Sequence, residues 1–272
     1  MNYRHAFHAG NFADCMKHAL LLWLVRALQR KPSPIAVLDT HAGAGAYDLS
    51  AGPAERTGEW RSGIGRLLDD PPGPLGAYVG LVREVGLYPG SPAIVRGLLR
   101  PDDRLTCCEL HPEEYAALRR RFVGDPAVAV HRRDAWEAVG ALLPPQPRRG
   151  LVLIDPPYEA ADEFDRLVAG LATGWARFRT GVFAAWYPIK HRAPVRAFFA
   201  ALRQAGVRDL VAAELLLREP LDPARLNGCG ILVVNPPYRF EMDALPILVA
   251  LVERLGGREP GEGAEMVRLV DE

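Results

Sequence analysis

Four short apolar runs, each closing on or near a carboxylate, restrict this 272-residue chain to few architectures. Ile35-Ala36-Val37-Leu38 ends at Asp39, and Arg104-Leu105-Thr106-Cys107-Cys108 ends at Glu109. Val128-Ala129-Val130-His131 ends near Asp134, and Leu151-Val152-Leu153-Ile154 ends at Asp155. Runs of this length and composition read as strands, as do later ones at 181–187, 208–217 and 230–234. Helix-period stretches at 113–123, 135–143, 161–172, 192–205 and 241–255 lie between them. The alternation predicts an α/β fold on a mostly parallel, seven-stranded sheet. In such a sheet the carboxyl ends of the strands share one edge, where ligands bind. One acidic strand end is an ordinary helix N-cap. Four in succession predict a nucleotide-type ligand in the crevice.

About sixty residues separate Asp39 from the next strand, too many for a single connection. A small helical insertion is expected at about 48–96, within a single domain over 1–272 that opens with a helical element over about 1–31. The apolar run Ala19–Val25 is far short of the roughly 20 residues of a membrane span, and it is bracketed by Lys17-His18 and Arg26. It reads as a helix with Asp14 as its N-cap, and the protein is expected in the cytoplasm. The tail after Leu255 is Gly/Glu-rich and reads as loosely packed at its end. Cys15, Cys107, Cys108 and Cys229 form no CxxC pair and no zinc spacing, which predicts reduced thiols and no metal. Lys+Arg and Asp+Glu both number 33, so no global field attracts a polyanion and a local patch must do so. Arg4, Lys17, Arg26, Arg30 and Lys31 against Asp14 make the N-terminal element the preferred phosphate-contacting surface. Arg119-Arg120-Arg121 with Arg132-Arg133, and Lys190 with Arg192 and Arg196, are further clusters.

The turn after the first run, Asp39-Thr40-His41-Ala42-Gly43-Ala44-Gly45, allows close backbone approach to a ligand. It lacks the third glycine with which a dinucleotide fingerprint seats a pyrophosphate. A ligand without phosphate needs only the close approach, which suits S-adenosylmethionine. Glu109 is placed to accept from two ribose hydroxyls and Asp134 from an adenine amino group. Asp155-Pro156-Pro157-Tyr158 fits methylation of an exocyclic amine. That nitrogen is a poor nucleophile because its lone pair is delocalised. A carboxylate and the Pro156 carbonyl hold its two N–H bonds, the proline pair stiffens the turn, and Tyr158 offers a stacking face for a flipped-out base. Asn235-Pro236-Pro237-Tyr238 repeats the pattern after Ile231–Val234. Methyltransferase folds usually end on an antiparallel strand, so Asn235 is expected to begin a structural turn at the opposite edge.

Tyr3-Arg4-His5-Ala6-Phe7-His8-Ala9-Gly10-Asn11, Asp14, Lys17-His18, Leu38–Gly45, Tyr88-Pro89-Gly90-Ser91-Pro92, Glu109-Leu110-His111-Pro112 and Ile154–Tyr158 occur in this order. With Trp186-Tyr187-Pro188 and Asn235-Pro236-Pro237 they span nearly the whole chain, which resembles the bacterial 23S ribosomal RNA adenine-N6 methyltransferase family. The resemblance implies a Rossmann-like S-adenosylmethionine-dependent methyltransferase with a small helical insertion, acting as a monomer on RNA rather than on assembled ribosomes. It implies that His18, His41, Ser91, Glu109, Asp134 and Asp155 line the cofactor, beside Asp39 and Gly43 of the first turn. Asp155 also orients the amine, and Tyr3 and Lys17 lie near the substrate. Where the family tends to have Asp-Gly, this chain has Asp134-Ala135, and a backbone contact from Ala135 survives only if its φ is negative. Bland readings stand beside these: His18 as a helix-face histidine and Lys17 as a solvated one. A metal cluster of His5, His8, Asp14 and His18 is not expected. Asp-Pro-Pro-Tyr alone is shared with DNA adenine and protein glutamine methyltransferases, which are the rival enzymes. A non-catalytic RNA- or nucleotide-binding module is the other rival.

Overall fold

Residues alternate along the central strands between two hydrophobic layers, as a sheet covered on both faces requires. A computed structural model describes residues 5–69 and 73–271 of the chain. Its strands are β1 (Ala36–Asp39), β2 (Ala46–Tyr47), β3 (Tyr88–Pro89), β4 (Arg104–Cys108), β5 (Val128–His131), β6 (Gly150–Ile154), β7 (Val182–Ile189), β8 (Leu210–Leu216), β9 (Gly228–Val234) and β10 (Gly263–Val270). Val37, Leu151, Leu153 and Ala184 face one core, while Leu38, Val152, Ile154, Phe183 and Ala185 face the other.

The main sheet runs β5-β4-β1-β6-β7-β9-β8-β10. The first five strands are mutually parallel, and β9 is antiparallel to both β7 and β8. The sheet has eight strands rather than the expected seven. The extra one is β10, antiparallel to β8 from Gly263↔Leu216 to Val270↔Leu210. The tail after Leu255 is therefore not loose at its end. The Gly/Glu-rich composition stops at Gly263, and Ala264 and Met266 then pack on one core while Val267 and Leu269 pack on the other.

Between β1 and β4 the chain forms helices at Gly52–Thr57, Glu59–Ser62, Ile64–Leu68 and Gly76–Val85, then the β2·β3 ribbon closes and Ser91–Leu98 packs against β1 and β4. The helix Phe12–Gln29 buries fourteen of its eighteen residues, apolar nearly all round, as a helix covered on all sides must be. It packs against the helices Ser91–Leu98 and Phe240–Leu255. Its N-cap is Asn11 and not Asp14. The Asn11 side chain accepts from the Asp14 N–H at 2.9 Å, and Asp14 reaches back to accept from the Gly10 N–H at 3.0 Å. This reciprocal arrangement follows the capping-box logic with Asp at the third helical position. No described helix is long and apolar enough to cross a membrane.

Candidate active site

Parallel register brings the four acidic strand ends to one edge. Asp39 pairs with Cys107 on one side and Leu153 on the other, Cys108 with His131, and Ile154 with Ala185. Glu109, Asp134 and Asp155 follow the last residues of β4, β5 and β6 and open into a cleft of about 210 Å³ together with Thr40, His41, Gly43, Ala135 and Trp136.

Each group in that cleft is held by local backbone. Asp134 caps the helix Ala135–Leu142, its Oδ1 accepting from the N–H groups of Trp136 (2.9 Å) and Glu137 (3.1 Å), so Oδ2 is the oxygen left for a ligand. Ala135 has ordinary helical backbone, so the departure from Asp-Gly costs nothing there. Glu109 accepts from the Gly43 N–H at 2.8 Å and the His111 N–H at 2.7 Å, and burial raises its carboxyl above the usual range against those donors. Gly43 sits at φ 59°, and a Cβ there would lie 2.3 Å from the Tyr47 hydroxyl oxygen, so the turn admits only glycine. Burial lowers His41 to about 4. Its Nδ1 lies 2.9 Å from the Thr40 hydroxyl oxygen, which itself donates to the Leu153 carbonyl, and 3.3 Å from the Asp155 amide nitrogen. An acceptor from β5, a buried carboxylate from β4 and a glycine turn after β1 fit an adenosyl group bearing no phosphate.

A second cleft, of about 500 Å³, opens on the other side of the Asp-Pro-Pro-Tyr turn. Lys17, Pro156, Tyr158, Trp186, Pro188, Lys190 and Leu226 are among its walls. The two clefts share His5, Asp155 and Pro157. Tyr158 adopts φ 52°, a left-handed conformation uncommon for an aromatic residue. Its hydroxyl donates to the Trp186 carbonyl at 3.0 Å, and Phe164 and Trp186 meet its ring edge-on at 5.0 and 5.6 Å.

Beneath the junction lies a buried ionic group. Lys17 Nζ stands 2.5 Å from Asp155 Oδ2 and 2.8 Å from Asp14 Oδ1. Burial alone would lower the Lys17 pKa, but the two carboxylates outweigh it and hold the ammonium well above the ordinary lysine range. Lys17 is thus a paired, buried cation rather than a solvated helix-face residue.

His18, Ser91 and Asp39 line neither cleft. They form a layer behind it, with the Ser91 hydroxyl donating to Asp39 Oδ2 at 2.6 Å and His18 Nδ1 sharing a hydrogen bond with the Tyr88 hydroxyl at 2.9 Å. Burial lowers His18 to about 3 and raises Asp39 to about 7. Tyr3 lies outside the described residues. Arg4 lies outside the described residues, and the other basic side chains of the N-terminal element are spread along its helix and just beyond it. The helix is about 27 Å long at 1.5 Å per residue, and Arg30 at its far end contacts the Tyr238 carbonyl and Asp243, beside the Asn235 turn. Lys190 lies on the wall of the second cleft. His5, Trp136 and Trp186 line the clefts without having been singled out as site residues. Of these, only the histidine-rich opening and the Trp-Tyr-Pro triplet gave any signal. Asn235 does sit at the opposite edge, its side-chain amide donating to the carbonyls of Arg179 and Gly181 at 2.8 and 2.7 Å.

A parallel sheet that turns antiparallel at β9, with acidic strand ends on one side of an Asp-Pro-Pro-Tyr turn and an open cleft on the other, defines the Rossmann-like methyltransferase class. Within it, the chain belongs to the family described as ribosomal RNA large subunit methyltransferase D, RlmJ, whose model matches residues 32–268. It is 41% identical over 263 residues to Ribosomal RNA large subunit methyltransferase J of Escherichia coli (strain K12), covering 94% of each chain. It is 40% identical to the protein of the same name in Haemophilus influenzae, again over 94% of each. The crystal structure of protein LPL1258 from Legionella pneumophila is similar throughout, with TM-score 0.86 and 33% identity over 96% of this chain and 98% of that one.

Proposed function

We propose that this chain transfers a methyl group from S-adenosylmethionine to the exocyclic N6 of an adenosine in 23S ribosomal RNA. It acts as a cytoplasmic monomer on free RNA rather than on assembled ribosomes, and without a metal. The observation that carries the reading is the junction at Asp155, where a cleft suited to an adenosyl group meets a second, larger one. The names of the curated relatives support large-subunit ribosomal RNA as the substrate class.

In this reading Glu109 accepts from the ribose hydroxyls, Asp134 Oδ2 accepts from the adenine amino group, and His41, Gly43 and Ala135 complete the wall. His18, Asp39 and Ser91 stand behind that wall, and Tyr3 is kept as a substrate contact on the resemblance alone. When bound, the cofactor supplies a methyl group activated by its sulfonium. The target base enters the second cleft and stacks on Tyr158, whose hydroxyl bond to Trp186 holds the ring in place. Asp155 and the Pro156 carbonyl accept the two N–H bonds of the amine and aim its lone pair at the first cleft. Lys17 occupies Oδ2 of Asp155, leaving Oδ1 for the amine. The amine becomes acidic as its bond to carbon forms, so Asp155 accepts the proton without having to be a strong base.

Labelled methyl transfer to unmodified 23S ribosomal RNA, to DNA and to a release factor, followed by nucleoside mass spectrometry, tests the reading. Label in N6-methyladenosine of the RNA is expected, and Asp155→Ala should lose at least about 10³-fold in rate while remaining folded. Label in DNA or protein alone, or undiminished turnover by the variant, would overturn it.

A further inference from the structure

Asp14 is buried beneath the site, its side chain 1% exposed, and neither helix capping nor the contacts of Asp155 with the amine explain it. A residue that only caps a helix sits near solvent and needs no cation. Asp14 instead divides its oxygens between two tasks. Oδ2 accepts from the Gly10 N–H and meets His5 Nε2, each at 3.0 Å, which ties it to the backbone at the start of the helix. Oδ1 meets the Lys17 ammonium at 2.8 Å. Burial pushes the Asp14 carboxyl upward, yet His18, His5 and Lys17 together hold it well below the usual range, so it stays an anion.

The consequence lies in the order of attachment. Asp14 and Lys17 are fixed on one rigid helix turn, three residues apart, whereas Asp155 starts an irregular segment after β6. A lysine side chain is a flexible stem with three donors and no preferred direction of its own. Paired to Asp155 alone, it would move with that loop. Paired also to Asp14, its ammonium has a fixed position, and Asp155 Oδ2 is drawn to that point.

We propose that Asp14 is a positioning residue for methyl transfer: it anchors the Lys17 ammonium, which in turn sets the orientation of Asp155. The inference rests on the adenosine-methylation reading for its kinetic consequence but not for its structural one, and the experiment separates the two.

In the full-length protein, Asp14→Asn keeps the size of the side chain and an acceptor for Gly10. It should lower kcat on unmodified 23S ribosomal RNA by roughly 10- to 100-fold, the scale of an ångström-sized misplacement. KM for RNA and the calorimetric affinity for S-adenosylhomocysteine should stay within about threefold. In a Lys17→Met background the same change should cost no more than about threefold, because its effect passes through the lysine. Acetylation with acetic anhydride, read by mass spectrometry against exposed Lys31 and Lys190, gives a measure that needs no turnover. Lys17 should be protected in the wild type and labelled in Asp14→Asn. If that variant does not fold, Asp14→Glu carries the test, since a displaced charge should also slow kcat and expose Lys17. Wild-type kcat in the variant, an undiminished loss in the Lys17→Met background, or Lys17 protection unchanged by the substitution would overturn the proposal. Wild-type protein that leaves the RNA unlabelled while Lys17 protection still depends on Asp14 would instead overturn only the methylation reading.

Discussion

Asp39 has no exposed surface, and burial pushes its carboxyl up to about 7 although the Ser91 hydroxyl and the His41 N–H donate to it. In the unfolded chain an aspartate titrates near 3.9. Between those values the folded state binds the extra proton, so this group's contribution to stability is complete below about 4 and is lost as pH rises through about 7. His41, lowered to about 4, acts in the opposite sense: its contribution is complete above about 6.5 and is lost as pH falls to about 4. Asp39→Asn removes the first effect and leaves the second. In urea titrations from pH 5 to 8 the variant should gain on the wild type by on the order of 3 kcal/mol across the interval, and parallel curves would exclude a buried, protonated Asp39. Residues of this kind mark the limit of what the sequence discloses. Asp155, Glu109 and Asp134 were legible because strand ends announce themselves by period and polarity. The pairing of Lys17 with Asp14 and Asp155 was not, because two charges in the first turns of a helix look the same whether they face water or a sheet edge 138 residues away.

At the level of the element, two nearly identical sequences, Asp155-Pro156-Pro157-Tyr158 and Asn235-Pro236-Pro237-Tyr238, end at opposite edges because β6 is parallel to β7 and β9 is antiparallel to it. Strand direction alone separates the turn proposed for the chemistry from a structural one. Asn235 adopts φ 51°, where asparagine is among the few tolerated residues, and its amide closes the Arg179–Gly181 turn. Asn235→Ala should therefore cost about 2–3 kcal/mol through two lost hydrogen bonds and the left-handed backbone. Below the melting transition it should leave kcat unchanged. A fall in kcat at unchanged stability would put this turn in the chemistry after all. The expectation of an opposite edge was possible from the sequence because the family's sheet ends antiparallel. The eighth strand was not, since the Gly- and Glu-rich stretch before Gly263 masked the short alternation that follows. At a sheet edge that alternation is further diluted by Arg268, which pairs with Asp209 and Glu241.

Across the whole molecule, equal numbers of acidic and basic side chains mean that RNA affinity rests on a few local contacts rather than on a general field. Among the described residues the two clefts share only His5, Asp155 and Pro157, so each should bind its ligand nearly independently. Lys190, exposed on the wall of the second cleft, has no ion-pair partner among the described residues, whereas its neighbour Arg192 is taken up by buried Glu214. Lys190→Glu should raise KM for RNA several-fold and flatten the slope of log affinity against log salt by about one, with affinity for S-adenosylhomocysteine unmoved. Glu109→Gln should do the reverse. Loss of a charged acceptor is worth about 1.5–3 kcal/mol, which is roughly a 10- to 100-fold loss in cofactor affinity with RNA binding retained. Calorimetry for the small ligand and filter binding at three salt concentrations for RNA measure both arms. If each substitution weakened both ligands equally, the clefts would be one site, and the division of labour at Asp155 would have to be abandoned. The coupling would then have to run through His5, because Pro157 has no donor and Asp155 is held from beneath by Lys17.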